Sequence, residues 1–343
     1  MEQVPVWIDD LTAPWLTGVL GAPVASFVAE PIGTGQIGAV YRLKLEGSAE
    51  LPAQMVAKLP TLDEASRAML AGPYAAEVRF YRELVDTVAV RTPRCYHAAL
   101  GEGGAFVLLL EDLSSAEPGD QLAGCSVDRA RAAVVNLAGL HGPRWCDRAL
   151  LEVEGLALFG PDDATMMGEF YPPTHELFLA GIGDLLSPDD HAVLDRIPSV
   201  LADWTLARGD RFSLVHGDYR VDNLLFDLDT PESVAIDWQT LSLGHPARDL
   251  AYFLSSSLSV DDRRAHEREL VGAWHEALTD WVSDYPLERA WDDYVYGALQ
   301  GAIIAQFAFA YSTRTDRGDQ VMARIISGSC AAVRDLGTLE RPF

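Results

Sequence analysis

At 343 residues the chain is long enough for two lobes with separate cores. Its 49% hydrophobic and 22% charged content are ordinary for a soluble globular protein. A formal net charge of −25 leaves no cationic excess to neutralise phosphates. That argues against a general nucleic-acid or anionic-membrane binder, and it suits either a cationic small molecule or simple solubility.

The cysteines Cys95, Cys125, Cys146 and Cys330 are widely spaced and form no CxxC pair, so reduced thiols are expected rather than a metal site. The opening MEQVPVWIDD carries no apolar run, and the longest apolar stretch, 298–310, is too short for a bilayer. A cytoplasmic location is the expectation.

In chain order, residues 9–20 read as a short helix. Residues 24–32 and 40–45 read as strands around Gly33-Thr34-Gly35-Gln36-Ile37-Gly38. In a dinucleotide fold that glycine motif opens a helix. Here the downstream AVYRLKLE suits a strand, so Gly33, Gly35 and Gly38 are expected in a strand-to-strand turn where backbone N–H groups can approach phosphates. Residues 55–59 form an apolar strand interrupted by Lys58, one of only two lysines, and such a lysine needs an exposed face or a charge partner. Residues 63–86 read as helix, 92–100 and 105–110 as strands, and 114–126 as a loop at the lobe boundary. Helices are expected over 127–140, 164–185 and 189–207, then over 247–258, 262–283, 288–311 and 318–335. His141, in an apolar setting, reads as a hydrogen-bonded packing residue.

The most informative stretch runs from Ser213 to Asp249, SLVHGDYRVDNLLFDLDTPESVAIDWQTLSLGHPARD. Leu224–Phe226 and Val234–Ile236 flank a turn-rich segment and predict a β-hairpin. His216, Asp218 and Asn223 precede it, and Asp237 comes directly after it. One carboxylate to accept a hydroxyl proton, with an amide oxygen and a second carboxylate for magnesium, is a set that phosphoryl transfer needs.

The spacing His-x-Asp-x-x-x-x-Asn with a later strand-end Asp resembles the protein-kinase-like superfamily, and HGDYRVDN…IDWQ…GHPARDLAYF is similar to its small-molecule branch: aminoglycoside phosphotransferases, choline kinase and ecdysteroid-kinase-like proteins. The resemblance covers about 32–254. It implies an α+β, bilobal protein-kinase-like fold with an antiparallel-sheet, nucleotide-binding lobe at 1–113 and a mainly helical catalytic and acceptor lobe at 114–343. It further implies that Lys58 positions ATP phosphates through a pair with Glu77, Glu83 being the other choice, and that backbone groups from Glu111 to Leu113 face adenine. Asp218 becomes the catalytic base, and Asn223 and Asp237 the Mg2+ ligands. Arg220 either faces the transferring phosphoryl group or forms a structural salt bridge. His216 and Asp249 brace the loop.

Trp238 and Gln239 stand where protein kinases carry Phe-Gly, and 238–246 is too short for a peptide-docking segment. The expected partner is therefore a small hydroxylated acceptor rather than a protein: an antibiotic, as the acidity suggests, or a metabolic alcohol, as the LEDL and GDYRVDN wording suggests. It is expected near helices of 164–207 and 288–311, with Phe170, Tyr171, Phe307 and Tyr311 as pocket or core residues. The alternative is a catalytically idle nucleotide-binding module, against which the complete set Lys58, Asp218, Asn223 and Asp237 argues.

Overall fold

The computed structural model describes residues 4–32, 38–228, 230–311 and 313–343. It divides into two compact units, one of Met1–Thr87, Thr92–Ser115 and Ile236–Leu241, the other of Val88–Arg91, Ala116–Ala235 and Ser242–Phe343.

The first unit opens with α1 (Ala13–Leu20), capped by Thr12 and closed by Gly21 in the left-handed region. β1 (Val24–Pro31), β2 (Gly38–Gly47) and β3 (Gln54–Pro60) come next, then α2 (Glu64–Met69) and α3 (Ala71–Arg79). β4 (Cys95–Leu100) and β5 (Phe106–Glu111) complete an antiparallel sheet of order β1-β2-β3-β5-β4. Leu43, Met55, Ala57, Leu59, Val107 and Leu109 alternate onto its α1-covered face and form the core.

The single helix expected over 63–86 is instead α2 and α3, with a wide turn over Phe80–Leu84 after them. Pro73 has no N–H to return to Met69, so the first helix stops and a second begins.

The second unit holds a short strand, β6 (Glu117–Pro118), and then α4 (Val127–His141), α5 (Pro161–Ile182), α6 (Pro188–Leu194) and α7 (Ile197–Leu206). β7 (Ser213–Val215), β8 (Leu224–Phe226), β9 (Ser233–Ala235) and β10 (Ser242–Gly244) come next. β8 and β9 form the hairpin, β6 pairs with β8, and β10 pairs with β7. α8 (Ala247–Ser257), α9 (Val260–Leu278), α10 (Leu287–Gly297), α11 (Leu299–Tyr311) and α12 (Asp316–Leu336) finish the chain. Their core is built around Tyr171, Phe178, Trp204, Tyr252 and Tyr296.

The helix expected over 189–207 is broken into α6 and α7, because Pro198 cannot donate to the Leu194 carbonyl. The one expected over 288–311 is broken at Ala298 into α10 and α11.

Candidate active site

In the first unit, β3 turns Lys58 away from the face carrying Met55, Ala57 and Leu59, toward Glu77 of α3. The ammonium lies 2.7 Å from Glu77 Oε2 and 3.2 Å from Asp237 Oδ1. Burial alone would push the Lys58 pKa down, but the two carboxylates outweigh it and hold the group above its usual value. Glu83 is exposed in the wide turn, so α3 supplies the partner. Glu77 is buried and also accepts from the Trp238 N–H at 3.4 Å and Gln239 Nε2 at 3.3 Å.

Asp237 has φ of +67°, a left-handed conformation that Asp tolerates better than most residues. The next residue anchors this turn. Trp238 is buried, stacks on Phe80 with ring centroids 3.6 Å apart, and donates from its indole to Thr92 Oγ1 at 3.1 Å.

In the second unit, the segment from His216 to Asn223 joins β7 to β8. Asp249, in the first turn of α8, accepts from the His216 N–H at 2.6 Å and the Gly217 N–H at 3.0 Å. Gly217 has φ of +81°, which suits glycine and permits both amides to meet one carboxylate. Behind Asp249 lies buried His141, whose Nδ1 accepts from Trp274 Nε1 at 3.2 Å. Its Nε2 must therefore carry the proton, and it faces Asp249 at 3.4 Å. Burial holds the His141 pKa below the usual imidazole value, opposed in part by Asp249.

His216 is itself buried and accepts at Nδ1 from the Asp218 N–H at 3.3 Å. The Asp218 carboxylate, 28% exposed, faces Arg220 Nε at 3.1 and 3.2 Å and accepts from Tyr252 Oη at 2.9 Å. Asn223 Nδ2 donates to the Asp218 carbonyl and to its Oδ2, both at 2.8 Å. Arg220 Nη1 also holds Asp222 at 2.6 Å, and Asp222 in turn accepts from the Gln121 N–H at 2.6 Å.

Of the other sequence candidates, Gly33 and Gly35 lie outside the described residues. Gly38 opens β2 rather than a helix, and a Cβ there would meet the Leu59 carbonyl at 2.5 Å. Glu111 ends β5 and accepts from the Arg94 N–H at 3.0 Å, while Leu113 is half-buried. Tyr171 is core, its hydroxyl accepting from Gln306 Nε2 at 2.6 Å, whereas Phe170 is exposed, Phe307 is half-buried and the Tyr311 side chain is outside the description.

Tyr252 was not among the sequence candidates. It stands three residues after Asp249 on α8, on the same helix face, and that spacing is the signal that marks it.

Asn223 and Asp237 sit on different units. Among the described residues no group of three His, Cys, Asp or Glu side chains could hold a metal. No described helix is long and apolar enough to cross a membrane.

The antiparallel sheet carrying a lysine–glutamate pair, followed in the chain by a helical unit, is a fold that solved structures share. They include a Ralstonia eutropha protein classed with the aminoglycoside phosphotransferases (16% identity, TM-score 0.59, covering 94% of this chain and 97% of that one). Cryptosporidium parvum choline kinase has 9% identity, a TM-score of 0.59 and 91% of both chains covered. The GDP complex of aminoglycoside 2'-phosphotransferase-IIIa has 14% identity and a TM-score of 0.57, with 92% and 96% covered.

The chain belongs to the phosphotransferase enzyme family (APH), whose profile matches residues 28–291. Among curated proteins, mouse acyl-CoA dehydrogenase family member 10 is 44% identical over 61 residues, 16% of this chain. Rat acyl-CoA dehydrogenase family member 11 is 37% identical over 85 residues, 23% of this chain. The matched segments span only 6% and 11% of those relatives' own lengths.

Proposed function

We propose that the protein transfers the γ-phosphoryl group of ATP, with magnesium, to a hydroxyl of a small molecule. The observation that carries this reading is the orientation of Asn223. Its Nδ2 is committed to Asp218, which leaves its Oδ1, with no hydrogen bond to any described residue, as a hard oxygen donor beside Asp218.

Asp218 orients the acceptor hydroxyl and takes its proton as the new O–P bond forms and the bond to ADP breaks. Tyr252, Asn223 and Arg220 hold that carboxylate, which makes them positioning residues; the two carboxylates that Arg220 bridges support that role for it. Lys58, kept cationic by Glu77, binds α- and β-phosphate oxygens. Asn223 and Asp237 would hold magnesium, which when bound offsets phosphate charge. Backbone groups between Glu111 and Leu113 face adenine.

The test is an ATP-consumption screen over aminoglycosides, macrolides, amino alcohols, sterol-like alcohols and hydroxylated acyl thioesters, the last because the curated relatives are named for acyl-CoA dehydrogenases. Metal-dependent phosphorylation of one class is the expected result. ATP binding with no acceptor-stimulated turnover in any class would favour an idle nucleotide-binding module.

A further inference from the structure

Within the second unit a small, solvent-open cleft lies where the end of α7 meets β10 and the start of α8. Arg208, Arg211, Arg248 and His245 line it, with Phe159 and Gly209. None of Asp218, Arg220, Asn223 or Tyr252 does, so it is separate from the groups around the base.

The arginines differ in how their charge is met. Arg211 is fully engaged, with Nε 3.0 Å from Asp293 Oδ2 and Nη1 2.7 Å from Asp210. Arg208 pairs with buried Asp293 and, at 2.9 Å, with Asp292. Asp292 and Asp210 are 43% and 69% exposed, so water screens them.

Arg248 has no carboxylate partner among the described residues, although it is only 8% exposed. Its Nη2 donates to the Trp204 and Thr205 carbonyls at 3.2 Å each, at the end of α7, and to the Tyr296 hydroxyl. Its Nε donates to the same hydroxyl at 3.1 Å, and its guanidinium lies 4.1 Å over the Trp204 ring. Nη1 makes no hydrogen bond to any described residue.

A buried cation normally has a counter-charge. The carbonyl end of α7 and the Trp204 face supply partial negative charge only. The missing charge has an open cleft in front of it, flanked by two more guanidinium groups. We propose that this cleft binds a small oxyanion, a phosphate or carboxylate group, with Arg248 Nη1 as the anchoring donor.

The test is titration of the full chain with inorganic phosphate, and separately with acetate, at constant ionic strength set by chloride. Arg248→Gln removes the anchor. Gly209→Glu offers the arginines a carboxylate from within; a Cβ at Gly209 meets nothing within 4 Å, so the fold is retained. Lys58→Ala controls for phosphate bound with the nucleotide-binding residues.

The proposal expects saturable binding to the native chain, weakened about tenfold or more by Arg248→Gln and Gly209→Glu and unchanged by Lys58→Ala. Phosphate binding without acetate, or the reverse, identifies which anion the cleft takes. If Arg248→Gln does not fold, Gly209→Glu decides. No saturable binding of either anion, binding indifferent to Gly209→Glu, or binding lost only in Lys58→Ala overturns the proposal.

Discussion

The two units hold their chemical groups by different means. Around Lys58 the partners are side chains: its ammonium meets Glu77 and Asp237 in a knot of opposite charges, and Glu77 in turn accepts from Gln239 and from one main-chain donor, the Trp238 N–H. Around Asp218 the critical donors are main-chain amides, those of His216 and Gly217 on Asp249, with side chains completing the shell. A charge knot can be dismantled pairwise and replaced by apolar groups. A backbone scaffold cannot, because its donors remain whatever the side chains become.

The largest expected effect is on the backbone scaffold. Asp249→Ala strands two amides and the His141 N–H in a buried setting, and should cost roughly 3–5 kcal/mol of stability. Asp249→Asn should recover part of this, since one amide oxygen still accepts. Denaturant melts of the two variants measure it, and a loss below about 1 kcal/mol for the alanine variant breaks the comparison.

The charge knot should behave otherwise. Lys58→Met alone leaves Glu77 buried against Asp237 and should cost about 3 kcal/mol, less if Glu77 takes up a proton. Adding Glu77→Leu should return most of it while ATP binding stays lost. Additive losses in the double variant would show that the pair is not what the two residues contribute.

A pH series sharpens the contrast. Burial holds both His141 and His245 below the usual imidazole value, so the folded state favours the neutral rings. As pH falls through about 6.5 the unfolded chain takes up protons that the folded chain refuses, so stability is present above that value and lost below it. The two rings together set an upper bound of two protons on the slope, about 2.7 kcal/mol per pH unit. Melts at pH 7.5, 6.5 and 5.5 read it directly, and flat stability over this range contradicts it.

The smallest effect expected is that of Tyr252→Phe. Asp218 keeps Arg220 and Asn223 and is open to water, so the lost hydrogen bond should lower turnover by about threefold to tenfold, with little change in stability. Rates with an identified acceptor check this, and a drop as large as that from removing Asp218 would make Tyr252 itself a reacting group.

Much of this was legible in the sequence because the chemistry is carried by neighbours in the chain. The hairpin at 224–226 and 233–235, the strand bearing Lys58, and the helix bearing Glu77 can be read from period and punctuation. The pairing of β7 with β10 was not legible. Three-residue strands separated by 26 positions carry no periodic signal, and their register is set by the tertiary fold. β6 was hidden for a related reason, since Glu117-Pro118 reads as a turn and only an edge position tolerates it. The breaks before α3 and α7 were written in Pro73 and Pro198, and a stricter use of proline would have found them. The cleft at Arg248 depends on what a buried arginine lacks, which no linear pattern reveals.

The central claim is a division of labour, with Asp218 serving the acceptor and Lys58 the nucleotide. The most direct measurement sets Asp218→Asn beside Lys58→Ala, tracking both ATP affinity and turnover of an identified acceptor. Asp218→Asn should leave ATP affinity unchanged while turnover falls by about 10²–10⁴-fold, the span of general-base positioning. Lys58→Ala should weaken ATP binding first. Turnover in Asp218→Asn within about twofold of the native rate, far short of that span, contradicts the account.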